Sequence, residues 1–155
     1  MQTMSQGQAA GRLLPFAATL FVSAALLFWV QLLVSKVLLP ILGGSAAVWT
    51  TCMVFFQAGV LAGYLYAHLS RVLSLKRQVV LHLAVLIVAG LALRMSFDTA
   101  GAPPADSNPA LWLFKALALS IGPSFVALAA TAPMVQSWVA KTGLPAAADP
   151  YFLYV

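Results

Sequence analysis

Residues 13–39 carry a single charged side chain, Lys36. As a helix rising 1.5 Å per residue, that stretch spans roughly 40 Å, more than the ~30 Å hydrocarbon core of a bilayer. Three further apolar runs follow, at residues 46–69, 79–93 and 111–140. Charged residues make up only 7% of the chain, against about a quarter in soluble domains. So little polar surface cannot coat a water-facing fold. In lipid the backbone must satisfy its own hydrogen bonds, which favours helices. The expectation is an all-α polytopic transmembrane bundle with four membrane-spanning helices.

The flanks divide accordingly. Residues 1–12 are polar and read as a mobile cytoplasmic N-terminus; residues 13–140 form the membrane module. In the tail, residues 141–155, Gly143 and Pro145 read as a helix stop, and Asp149 and Pro150 as a new start. The closing "YFLYV" reads as the start of a fifth segment or as an interfacial aromatic anchor.

Net charge is +5, but the cations cluster at the ends of apolar runs. Arg12, Arg71, Lys76, Arg77 and Lys141 share one side of an alternating topology, while Lys36, Arg94 and Lys115 lie toward the other. This pattern signals topology rather than a nucleic-acid-binding face. It predicts a multi-pass protein of the bacterial inner membrane with both termini cytoplasmic. The partners expected are the lipid bilayer and other transmembrane helices or a larger membrane complex.

A few residues stand out against the apolar background. Lys36 falls at the far end of the first helix, where it can snorkel to the interface or bind an anion or substrate. Pro40, Gly43 and Gly44 then mark a tight turn. Gln31 and Gln57 lie deep in their spans; a side-chain amide in lipid needs a partner, so both are expected to face protein, as interhelical glue or along a polar pathway. Gly59 and Gly63, four residues apart, permit close helix approach. Pro123 and Pro133 are expected to bend the fourth helix twice, with Ser120, Ser124 and Thr131 available to the carbonyls they release. His68 and His82 fall at similar depth, either as interfacial hydrogen-bonding groups or as ligands of a tetrapyrrole metal. No cofactor is otherwise expected. One cysteine, Cys52, reads as a small buried hydrophobe.

The stretches "FVSAALLFWVQLLVSKVLLPILGGSAAVWTTCMVFFQAGVLAGYLYAH", "SIGPSFVALAATAPMVQSWVAKTG" and "DPYFLYV" resemble the N-terminal membrane region of bacterial spermidine-synthase-like integral membrane proteins. The run from Lys36 through Leu39, Pro40, Gly43 and Gly44 to Trp49 is the most specific part. The resemblance implies a major-facilitator-like membrane part followed by an aminopropyltransferase-like domain of Rossmann type. No position here matches a catalytic residue of that domain. Three functions follow as expectations. The first is a non-catalytic module that packs against partner helices, as the membrane part of such a protein or as an accessory subunit of a respiratory or photosynthetic complex. The second is a partial transporter for a small amine or anion, using Lys36, Gln31, Gln57 and the bent helix. The third is the membrane anchor of an aminopropyltransferase.

Overall fold

A computed structural model describes residues 6–96 and 108–141. They form five α-helices: α1 Gln6–Leu42, α2 Ala46–Leu69, α3 Leu75–Ser96, α4 Pro109–Ser120 and α5 Gly122–Ala140. A single 3-10 turn, Ser70–Val72, links α2 to α3. No strand occurs among the described residues. Three helices are long and apolar enough to cross a membrane, and the α4–α5 pair makes a fourth candidate if its two halves count as one span.

The α1–α2 turn falls at Gly43 and Gly44, where the sequence places it, but Pro40 lies inside α1 and not in the turn. Gly43 adopts φ +71° and its N–H donates to Leu39 O at 3.0 Å, closing α1. Only glycine enters this left-handed region without steric cost. Ser45 then caps α2, its hydroxyl accepting from Val48 N at 3.4 Å. Two helices extend beyond their apolar runs. α1 begins at Gln6, within the polar N-terminal residues, and α3 begins at Leu75. Lys76, Arg77 and Gln78 are good helix formers, so the α3 helix starts before its hydrophobicity does.

The fourth apolar run differs most from expectation. It is broken, not gently bent: α4 and α5 meet at 65°. The last bond of α4 is Ile121 N to Leu117 O, and the first of α5 is Phe125 N to Ile121 O. Pro123 lies in the first turn of α5, where its missing N–H would have no helical partner anyway. In a helix continuing from α4 its ring would also clash with the carbonyl of Leu119, four residues back, so the break falls upstream of Pro123. Pro133 sits inside α5. The nearby hydroxyls do not serve the carbonyls that the prolines release. Ser120 donates to Ala116 O, Thr131 to Ala127 O, and Ser124 crosses to Ala89 O on α3 at 2.7 Å.

α5 is the central element, packing against α1, α2 and α3. The contacts give each helix a direction. Gly59 meets Phe125 and Gly63 meets Ala129, so α2 runs parallel to α5. His82 meets Thr131 and Ala89 meets Ser124, so α3 is antiparallel. Leu13 and Leu20 cluster with Val135 and Val139, while Val34 and Leu38 pack toward Ile121 and Phe125, so α1 is antiparallel too. The N-terminal half of α1, the α2–α3 link and the end of α5 therefore share one end of the bundle. Arg71, Lys76, Arg77 and Lys141 all lie at that end, exposed.

Candidate functional site

Two arrangements of polar groups stand out within the spans. The first is a groove between α1 and α2, about 340 Å³ in volume and lined by Gln31, Met53, Phe56, Gln57 and Val60. Its depth follows from the turn. Gln31 precedes Gly43 by twelve residues and Gln57 follows Ser45 by twelve. Each lies about 18 Å from the turn along an antiparallel pair, near mid-membrane. α1 and α2 splay apart here, since both pack on α5 more than on each other. Gln57 is exposed and Gln31 half-exposed. The expectation that they face protein is therefore met by no neighbour among the described residues: neither side chain makes a hydrogen bond there, and both amides open onto the groove.

The second arrangement is buried, at the basic end. His82 and Gln78 are each only 2% exposed. They stand four residues apart on α3, hence on one helical face. Gln78 Oε1 accepts from Trp138 Nε1 at 3.0 Å, and Gln78 Nε2 donates to Leu73 O at 2.8 Å. The amide thereby ties α5 to the α2–α3 link. His82 Nε2 lies 3.2 Å from Thr131 Oγ1, whose proton goes to Ala127 O. Nε2 is then the donor, and Nδ1 is left as an acceptor. Tyr66 stacks on the imidazole at 6.0 Å and Trp138 meets it edge-on at 6.1 Å. Nδ1 and the Tyr66 hydroxyl are both buried without a hydrogen-bond partner.

The sequence-derived positions separate as follows. Gly59 and Gly63 are buried against α5: a Cβ on Gly59 would stand 2.7 Å from Phe125 Cδ1, and one on Gly63 2.8 Å from Ala129 Cβ. Lys36 is exposed on a face shared with Trp29, Leu32 and Leu33. It joins neither polar arrangement. Pro123 is exposed and Pro133 half-buried. His68 is exposed, whereas His82 is enclosed by Tyr66, Thr131 and Trp138. The structure does not pair the two histidines on one face. Gln78, Tyr66 and Trp138 escape a sequence reading because their meeting depends on how α2, α3 and α5 pack. The i, i+4 spacing of Gln78 and His82 is the one signal that marks a shared polar face.

Gln78→Leu is expected to cost about 1–3 kcal/mol, because it strands the half-buried Trp138 N–H and Leu73 carbonyl. Thermal unfolding of the purified full chain in detergent measures the loss. Adding Trp138→Phe, which removes one stranded donor, is expected to recover part of it.

These features define an all-helical chain with three helices, or up to four counting the α4–α5 pair, long and apolar enough to cross a membrane. Comparison of the sequence with family models, with curated proteins and with solved structures finds no match to any of them.

Proposed function

We propose that the chain is a non-catalytic membrane module whose α1–α2 groove receives a transmembrane helix of a partner protein. The supporting observation is the pair of amides, Gln31 and Gln57, opening at equal depth onto one groove. Facing lipid, each would lack hydrogen-bond partners over much of its polar surface, at substantial cost. A helix presenting an amide or hydroxyl at mid-membrane depth satisfies both and fills the cleft that α1 and α2 leave. In this reading α4 and α5 together form the fourth span, which fits the parallel course of α2 and α5. The basic end faces the cytoplasm of a bacterial cell, as the positive-inside rule requires. The module is then the membrane part of a spermidine-synthase-like protein or an accessory subunit of a larger complex.

Transport of a small amine or anion is the second reading, since broken spans build many transporter sites. The break here is packed with apolar side chains, Leu117, Ile121 and Phe125, which favours the packing role. The expected result for Gln31→Leu combined with Gln57→Leu is a stable chain that releases its partner. Interhelical hydrogen bonds in membranes contribute about 0.6–1.7 kcal/mol each. Loss of two weakens association by roughly 8- to 300-fold. Quantitative co-purification from mild detergent reads this directly. Undiminished association in the double variant would refute the groove as the contact.

A further inference from the structure

A second groove, on the outside of the bundle at its basic end, points to a ligand of different chemistry. It is lined by Arg71, Pro133, Gln136, Ser137, Ala140 and Lys141 and has a volume of about 580 Å³. The four residues from α5, and Lys141 just after it, recur at helical spacing and so form one stripe along that helix. Arg71 comes from the 3-10 turn that ends the α2 span, and Lys141 follows the last residue of α5. Both cations therefore stand at the membrane boundary, at the same depth. From Lys141 to Pro133 the stripe descends about 12 Å toward the hydrocarbon. Its lining changes on the way from two cations, through a hydroxyl and an amide, to the proline ring.

Among the described residues, charge in this region is one-sided. Arg71, Lys76, Arg77 and Lys141 are exposed there, and the only acidic residues of the chain, Asp98, Asp106 and Asp149, lie outside the described residues. The α5 carbonyls also end at this point, so the anion affinity comes from the side-chain cations and not from the helix dipole. A groove with a cationic mouth at the interface, hydrogen-bonding walls and an apolar floor matches the profile of one phospholipid.

The geometry points to a binding site for the phosphate headgroup of an anionic phospholipid between the α2–α3 turn and the C-terminal face of α5. Arg71 and Lys141 hold the phosphate, Ser137 bonds to the ester or glycerol oxygens, and an acyl chain lies along Pro133. Lys76 and Arg77 add to the positive field without lining the groove.

The test uses the full chain, purified and exchanged into detergent with phosphatidylglycerol or phosphatidylcholine, and counts retained lipid by native mass spectrometry. Wild-type protein is expected to retain one phosphatidylglycerol in preference to phosphatidylcholine. R71Q/K141Q is expected to lower that retention roughly 30-fold, from two basic contacts at an anionic surface. R71K/K141R is expected to keep it, and K76Q/R77Q to change it less than threefold. Circular dichroism checks that each variant is equally helical; these side chains are exposed, so each is expected to fold. Equal losses in R71Q/K141Q and K76Q/R77Q would overturn the site in favour of a diffuse field. Displacement of the lipid by 50 mM inorganic phosphate would overturn it in favour of a free-anion site.

Discussion

Gly63→Val is expected to destabilise the bundle by ~3 kcal/mol or more, the largest effect of any single substitution considered. Even the first added carbon, the Cβ, would lie 2.8 Å from Ala129 Cβ, 2.9 Å from Val126 O and 3.0 Å from Ala130 N. Two of those three atoms are backbone, so no rotamer change relieves the clash; α2 and α5 must separate. In lipid this matters more than in water, because no hydrophobic force draws the helices together and close van der Waals contact must do so. Ala129→Gly removes one of the three obstacles and is expected to restore only part of the loss. Thermal unfolding of the detergent-solubilised chain measures both.

Phe125→Ala is expected to cost about 2–3 kcal/mol. Phe125 is 1% exposed, with ring centroids 5.0 Å from Phe56 and 6.3 Å from Phe55. It lies just beyond the α4–α5 break and fills the space over Gly59. A buried Phe→Ala change in a soluble protein costs ~3–5 kcal/mol, part of it transfer from water. Here the unfolded side chain stays in lipid, so the lost packing and the cavity dominate, which lowers the expected figure. Gly59→Ala places a methyl group where the ring was. Added to Phe125→Ala it is expected to be far milder than Gly59→Ala alone, because the 2.7 Å clash has gone. That non-additivity is the signature of a direct contact.

The legible parts of this fold are those set by local chemistry. Apolar length gave the helices, and Gly43 and Gly44 gave the α1–α2 turn, because a left-handed residue acts within a few positions; the Ser45 cap emerged only from the structure. The gap of four between Gly59 and Gly63 indicates a close approach but not its partner; α5 emerges only from the three-dimensional arrangement. The α4–α5 break was half legible. Pro123 announces a disturbance, yet proline is most at ease in a first helical turn, so the chain breaks at Ile121 before it. Asn108 marks the start of α4, accepting from Ala110 N and Leu111 N, a residue type that in sequence reads equally as part of a loop. Gln31 and Gln57 were visible as polar intruders, but their common groove depends on the splay of α1 and α2. The set of buried Gln78 and His82 with half-buried Tyr66 and Trp138 joins three helices and has no local signature beyond one i, i+4 pair. The expected fifth segment, at 149–155, lies outside the described residues.

Site-specific photo-crosslinking in intact membranes tests the groove most directly. A photoreactive phenylalanine analogue placed at Gln57, or at Met53 beside it, is expected to join one discrete partner protein. Mapping is expected to place the crosslink in a transmembrane segment of that protein, within one helical turn of a polar residue at mid-membrane depth. The same analogue at Val80 or Leu83, exposed on α3, is expected to give lipid adducts alone. Lipid adducts alone from Gln57 and Met53 as well, with no protein joined, would contradict the account.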